Sequence, residues 1–461
     1  MTKQTVINKL KIILGSLLLF FVAYLLDLNL SIPIFLFSLY LYFKARHLKR
    51  ARLLYLIFLF VINFCASFFI LRHHWFVFYL PFSLIPMLAA ILFNDLETPL
   101  LITIASAVSI ASLAGNYFSL AVLFLISGVL SSILVLGVRR RIAVIRAGVI
   151  VGLIQAITLF FLDRFWLGMP IRYLVLVLNS IISSIIVLGV LPVFEYLFGI
   201  MTNISLLELA DFNHPLLQRM TMEAPGTYHH SLVVGNLSDA ACRAVGANAL
   251  LARIGAYYHD IGKIEKAEYF SENQMLEDNK HDALSPTMSK LVIMNHVKEG
   301  VELGKKYKLN PCLIDFIQQH HGKALVYYFY RRALEGIEED QEVKEEGFRY
   351  PGPKPNTKET AIVLLADSVE AATRALKDPT PGKIEEIVHK IINNKFIDGQ
   401  LDECDLTLKD LEKISAVFIR ILGGIYHSRV TYPETKASEG NHKKSAKENS
   451  HQSEKDKTSS P

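Results

Sequence analysis

Cysteine is scarce in this 461-residue chain: Cys65, Cys242, Cys312 and Cys404 are the complete set, and none stands in CxxC spacing. Cys65 falls inside an apolar run. A disulfide framework and a thiolate zinc ribbon are therefore excluded, and a reducing compartment fits. Excess charge of one sign is also missing, since 48 Lys and Arg face 43 Asp and Glu for a net charge of +5. Part of that surplus belongs to membrane-flanking loops and a Lys-rich tail, so the reading includes no nucleic-acid partner. The second half lacks strand-like alternation of convincing length and shows no internal repeat. That leaves an all-helical domain there.

What is abundant is apolar sequence, and it is unevenly spread: the 52% average blends two unlike halves. Up to about residue 200, long apolar runs alternate with short charged interruptions. A bilayer core takes about 20 apolar residues per helix, and candidate spans lie near 10–26, 28–43, 53–71, 75–93, 98–115, 117–138, 143–162 and 173–199. The basic loops from Lys44 to Arg52 and from Arg139 to Arg146 both fall on the cytoplasmic side if there are eight spans and a cytoplasmic N-terminus. Residues 200 onward then emerge in the cytoplasm too. No small-residue cleavage site follows the first run, so a cleaved signal peptide is not expected. Ionisable residues sit only near span ends, which favours an anchor or sensor over a transport path. Asn63 and Asn179 are expected to bond across helices, and Pro192 to mark the exit from the last helix.

The expected organisation is a polytopic transmembrane domain at 1–200, a connector at 201–227, an all-helical domain at 228–432 and a disordered polar tail at 433–461. The connector carries turn chemistry at Asn213-His214-Pro215 and Ala224-Pro225-Gly226-Thr227. An acidic stretch from Glu335 to Glu346 and the Pro-rich segment from Tyr350 to Pro355 interrupt the helical periodicity.

Candidate metal ligands lie on inward-facing stripes. His230 shares a face with Val234, Leu237 and Ala241; His296 with Ser289, Val292 and Ile293; Asp367 with Val363, Leu364 and Ala371. One buried imidazole or carboxylate is usually a hydrogen-bonded core residue. Several helices each turning one inward are hard to explain by packing. His259 and Asp260 are adjacent, so on a helix they diverge by about 100° and cannot chelate one ion as an i, i+4 pair does. A carboxylate has two oxygens, however, and can bridge two ions. Imidazole and carboxylate without thiolate favour Mn²⁺ or Fe²⁺ over structural zinc. Periodicity does not choose between His320 and His321. His229, His321 and Tyr258 are candidates for contacts to substrate or to the ligands. Lys263, three residues after Asp260, is placed to offset charge on a phosphate oxygen, against the blander reading of a solvated lysine. A second His-Asp pair, His281-Asp282, lacks the Gly-Lys sequel and is read as a decoy for metal binding.

Several segments together resemble the bacterial seven-transmembrane HD-domain family, which includes the PgpH-type cyclic-di-AMP phosphodiesterases. They are Gly226-Thr227-Tyr228-His229-His230-Ser231, Gly255 to Lys263, Glu272-Asn273-Gln274, Phe348 to Pro355 and Asp367 to Ala372. The resemblance spans roughly 190–430. It implies a cytoplasmic HD phosphohydrolase on a multi-pass bacterial (inner) membrane anchor, two divalent metal ions, and hydrolysis of cyclic di-AMP to 5′-pApA. It further implies that His230, His259, Asp260 and Asp367 hold one metal, and Asp260, His296 and His320 the other. Members carry a large extracellular domain between the first span and the rest. Here residues 26–28 alone separate the first two runs, so this is expected to be a short form without that domain.

The expected partners are a cyclic dinucleotide and the lipid bilayer, and a homodimer is compatible with the reading. The alternatives are an HD phosphohydrolase acting on another cyclic dinucleotide or nucleotide, and a non-catalytic nucleotide-binding membrane receptor. The His-His-Glu and Gly-Tyr-Pro signature of cyclic-di-GMP-specific relatives is absent, since Gly322-Lys323 follows His321. A degenerate receptor would lack a ligand, and every ligand is present.

Overall fold

The computed structural model describes residues 50–114, 117–163, 169–274, 279–336 and 343–426. The first two expected spans and the polar tail lie outside the described residues. Within them the chain is helical and contains no strand, only an isolated bridge between Leu325 and Arg349.

The apolar half comprises α1 (Arg50–Arg72), α2 (Leu84–Phe93), α3 (Glu97–Leu113), α4 (Tyr117–Val135), α5 (Arg141–Leu162) and α6 (Ile171–Phe198). Three described helices are long and apolar enough to cross a membrane: Leu54–Arg72, Arg141–Leu162 and Ile171–Phe198. The expected span at 75–93 is not one helix. It divides into a 3₁₀ turn at Val77–Tyr79 and the ten-residue α2, with Pro81 in the break. The carbonyls of Phe78 and Leu80 at the break accept from the Asn179 amide at 3.0 and 3.1 Å, which satisfies backbone in an apolar setting. Asn63 donates across helices to Ser106 at 2.8 Å. Helices α5 and α6 approach closely at Gly152, where an added Cβ would meet the Val177 Cα at 2.8 Å.

Pro192 does not end α6, which continues six residues further to Phe198. A proline inside a helix removes one backbone donor, and here the surrounding turns carry on. The stop is Gly199, which takes a left-handed conformation at φ 60° and donates to the Glu195 and Tyr196 carbonyls. Just beyond it, the Glu195 carboxylate accepts from the Thr202 backbone at 3.1 Å, the Thr202 hydroxyl at 2.5 Å and the Ser205 hydroxyl at 2.7 Å. This ties the last apolar helix to α7 (Asn203–Leu209).

The connector holds α7 and α8 (Pro215–Glu223), and the domain proper begins with α9 (Pro225–Val245). Then come α10 (Ala249–Tyr258), a 3₁₀ segment (Ile261–Tyr269), α11 (Pro286–Lys306), α12 (Pro311–Gln319), α13 (Tyr327–Glu335), α14 (Lys358–Arg374), α15 (Pro381–Ile397) and α16 (Leu408–Ile425). Helix starts follow local chemistry. Ser285, Asn310, Thr357 and Thr407 cap α11, α12, α14 and α16 by accepting from backbone N–H groups, and prolines open α8, α9, α11, α12 and α15. A single core joins Val234, Leu237 and Ala241 of α9 to Ile254 of α10, Phe316 of α12, Val363 and Leu364 of α14, and Phe418 of α16. Packing of α9 against α10, α14 and α16 buries His230 on the face it shares with Val234, Leu237 and Ala241.

Candidate metal centre

Each cluster histidine is oriented by its own helix. The Nδ1–H of His259 donates to Ala256 O at 2.6 Å, that of His296 to Ile293 O at 2.5 Å, and that of His320 to Ile317 O at 2.8 Å. In every case the acceptor is the carbonyl three residues back. His230 makes the equivalent bond to the Glu370 carboxylate. A backbone carbonyl only accepts, so the ring hydrogen is pinned on Nδ1 and the Nε2 lone pair is turned inward.

Those Nε2 atoms converge on Asp260 in two groups. On one side, Asp260 Oδ2 lies 3.1 Å from His259 Nε2 and 3.7 Å from His230 Nε2, and Asp367 Oδ1 lies 3.0 Å from His230 Nε2. On the other, Asp260 Oδ1 lies 3.4 Å from both His296 Nε2 and His320 Nε2. His230, His259, Asp260 and Asp367 thus form one set of ligand atoms within 4.8 Å of one another, and Asp260, His296, His320 and His321 form a second. The shared residue offers one oxygen to each.

Two observations fit this donor set to cations. His259 Nε2 and both Asp260 oxygens are buried without a hydrogen bond of good geometry. His296 Nε2 and His320 Nε2 stand 3.2 Å apart, yet both rings spend their Nδ1 hydrogens on carbonyls. Two facing lone pairs at that distance repel unless a cation lies between them, which is what a metal supplies.

The electrostatics agree. Burial opposes the charged form of Asp260, but His259 and Lys263 outweigh it and hold the carboxyl well below its usual range. Asp367 is likewise held low against burial, by His230 and His259. Burial drives His296 down to about 3, and drives His321 well below its ordinary value. These two rings are therefore neutral, as ligands must be. At His230 and His259 burial opposes the charge, but the facing carboxylates outweigh it and raise both, His259 to about 10, so that a bound ion would take the place of a proton there. Lys263 lies 2.8 Å from both Asp260 Oδ2 and Glu272 Oε1. Burial lowers its pKa, the two carboxylates raise it further, and the ammonium stays charged.

The second group leaves both His320 and His321 at the site. His320 is the deeper ring, at 1% exposure. His321 lines the cavity, stacks on Tyr350 with centroids 4.3 Å apart, and places Nδ1 3.6 Å from Asp367 Oδ2. Two expected contacts do not reach the site. His229 is exposed, joins neither group and does not line the cavity. Tyr258 is fully buried and donates its hydroxyl to Leu209 O at 2.8 Å, so it fastens the connector helix rather than meeting a substrate. The adjacent His259 is still helical at φ −57°, which turns Tyr258 about 100° away from it around α10.

The cavity over the cluster holds about 570 Å³. Among its lining residues are Glu272 and Tyr350, which the sequence placed in family-like segments without a role at the site, and Arg374, which it did not single out. Glu370 was missed as well, although it stands one helical turn after Asp367 on the same inward face. Glu272 and Arg374 carry no comparable periodic signal, because chain segments far apart in sequence bring them together.

An all-helical domain with paired His/Asp ligand groups sharing one aspartate, behind an apolar helical region, defines a membrane-associated HD-type protein. Residues 11–202 match the family described as a 7TM receptor with intracellular HD hydrolase, and residues 227–372 match the HD domain. The cyclic-di-AMP phosphodiesterase PgpH of Bacillus subtilis (strain 168) is 46% identical over 326 residues, covering 69% of this chain and 45% of that protein. The corresponding protein of Listeria monocytogenes serotype 1/2a (strain 10403S) is 40% identical over 366 residues, covering 78% and 51%. The chain therefore spans about half the length of the curated relatives it matches. Crystal structures of the L. monocytogenes PgpH HD domain, one in complex with cyclic-di-AMP, are 48% identical, cover 47% of this chain and all of theirs, and superpose with a TM-score of 0.45. The chain belongs to the seven-transmembrane HD-hydrolase family.

Proposed function

We propose that this chain is a metal-dependent phosphodiesterase that hydrolyses cyclic di-AMP to 5′-pApA at the cytoplasmic face of the bacterial cell membrane. The observation that carries the reading is Asp260, whose two oxygens each serve a separate histidine group, with His230, His296 and Asp367 of those groups lining the 570 Å³ cavity. That volume lies within the range of about 300–1,000 Å³ typical of small-ligand sites. Support for the substrate comes from the two relatives named as cyclic-di-AMP phosphodiesterases.

In this reading His230, His259, Asp260 and Asp367 hold one divalent ion, and Asp260, His296 and His320 hold the other, with His321 beside it. The thiolate-free donor set favours manganese or iron. When bound, such a pair supplies Lewis acidity at the phosphodiester and an acidified water for attack. The chain's own residues do the rest. Glu370 and the three helix carbonyls keep the imidazoles in the tautomer that presents Nε2. Lys263 stays cationic beside Asp260 and offsets charge that develops on the phosphoryl oxygens. Enclosure of the cluster excludes bulk water from the imidazoles and strengthens each of these interactions. We further infer eight spans with a cytoplasmic N-terminus, which puts both strongly basic loops and the HD domain on the same side.

The test is turnover by the full chain in nanodiscs with Mn²⁺, offered cyclic di-AMP, cyclic di-GMP and the mixed cyclic dinucleotide. Appearance of pApA at the highest kcat/KM is expected. Metal binding without hydrolysis of any cyclic dinucleotide would keep the site and discard the reaction.

A further inference from the structure

One wall of the cavity is not used by the phosphate chemistry. Tyr269, His281, Tyr328 and Phe329 line it. The His281 ring stands 5.6 Å from Tyr269 and 5.0 Å from Phe329, and Tyr328 lies 5.1 Å from Phe329. These faces make an apolar surface for a flat ring. His281 belongs to the second His-Asp pair and joins neither ligand group, yet it is buried to 5% exposure.

Its hydrogen bonding sets its chemistry. His281 Nε2 lies 2.8 Å from Tyr269 O. A carbonyl only accepts, so Nε2 carries the hydrogen, and in the neutral ring Nδ1 is left as an acceptor. Nδ1 is buried and has no partner. A buried acceptor in a ligand cavity, surrounded by aromatic rings, calls for a donor that arrives with the ligand.

We propose that His281 is a specificity-determining residue whose Nδ1 accepts a hydrogen bond from the exocyclic amine of a nucleobase held against this aromatic wall. The inference rests on the cyclic-dinucleotide reading above and adds the means by which the base is chosen. Adenine presents an amine donor at the position where guanine presents a carbonyl acceptor. Guanine there would set lone pair against lone pair and leave Nδ1 without a donor, and a site built around one hydrogen bond discriminates most strongly by leaving that partner unpaired.

The experiment compares the full chain in nanodiscs with Mn²⁺ as wild type, His281→Gln and His281→Asn. Glutamine can keep the donor to Tyr269 O while removing the Nδ1 acceptor. Asparagine keeps an acceptor near the Nδ1 position. Three substrates are used: cyclic di-AMP, cyclic di-GMP and bis(p-nitrophenyl) phosphate, a phosphodiester with no base. In His281→Gln, kcat/KM for cyclic di-AMP should fall about tenfold or more relative to the base-free diester, and the preference over cyclic di-GMP should shrink by a similar factor. His281→Asn should recover most of that preference. Equal losses on all three substrates, or an unchanged preference in His281→Gln with cyclic di-AMP still hydrolysed, would overturn the role of His281 and leave the phosphodiesterase standing. A wild-type chain that cleaves the base-free diester but neither cyclic dinucleotide would overturn the cyclic-dinucleotide reading and the base contact with it.

Discussion

Asp260 leaves α10 with φ −109° and ψ 16°, while His259 before it keeps a helical backbone. That change of direction lets two neighbouring side chains meet in one cluster although their helical positions diverge. Because both ligand groups contain Asp260, Asp260→Ala should strip both ions, with metal analysis of the purified chain falling towards zero and turnover lost. His229→Ala, altering an exposed ring outside the cavity, should retain metal close to the wild-type content. Wild-type metal and activity in Asp260→Ala would sink the shared-carboxylate mechanism. Glu370 acts through His230 by accepting from its Nδ1. Glu370→Gln removes the charge while keeping the shape, and metal affinity should weaken roughly 10- to 100-fold, as titration with Mn²⁺ can measure. An affinity unchanged from wild type would show that the bond is incidental.

At the scale of elements, the site depends on how closely the 3₁₀ segment after Asp260 approaches α11. Gly262 makes this approach possible: an added Cβ would meet His296 O at 1.8 Å and Gly300 N at 2.5 Å. Gly262→Ala must push α11 outward and carry His296 away from Asp260. Overpacking of this kind costs roughly 1–3 kcal/mol, and the ion held by His296 and His320 should be lost before the other. A metal-to-protein ratio halved relative to wild type, with a lowered Tm, is the expected result. A second element contact makes a pH prediction. Arg349 pairs with Asp398 at 2.8 Å and with Glu345 at 2.6 Å, joining the segment before the prolines to the end of α15. Burial raises the Asp398 pKa, but hydrogen bonds from Arg349 and Gln400 outweigh it and bring it below its ordinary value of 3.8. A carboxylate with a depressed folded-state pKa stabilises above its unfolded pKa and loses that contribution as pH falls through the folded value. Arg349→Met should therefore cost up to about 1 kcal/mol at neutral pH. The difference from wild type in denaturant unfolding should close below about pH 4. A gap that persists in acid would assign the loss to packing instead.

For the whole molecule, the apolar half and the HD domain meet through a short, well-bonded junction. The Glu195 carboxylate holds Thr202 and Ser205, Arg141 pairs with Glu208 at 2.5 Å, and the Cys312 thiol donates to Gly199 O at 3.4 Å. These contacts place α5, α6 and the domain at the same end of the apolar helices. Reporter fusions after Arg52, Arg146 and Ile200 should all read as cytoplasmic, and one near His74 as external. An external reading after Ile200 would contradict both the eight-span topology and access to a cytoplasmic substrate.

The sequence alone determined the class of the domain and the side chains that meet in it. An amphipathic helix records its buried face in its own 3.6-residue period, so His230, His296 and Asp367 could be recognised one helix at a time. The interrupted span at 75–93, the passage of α6 through Pro192, and the places of Glu272, Arg374 and His281 were decided by tertiary structure. The carbonyls at the break find Asn179 and Glu272 faces Arg374, both from distant segments, while the His281 ring is held by the nearer Tyr269 O. Tyr258 shows the same division. Its place beside the His-Asp pair suggested a substrate contact, but adjacency in sequence says nothing of direction across a helix. Packing against the connector turned it away from the cavity.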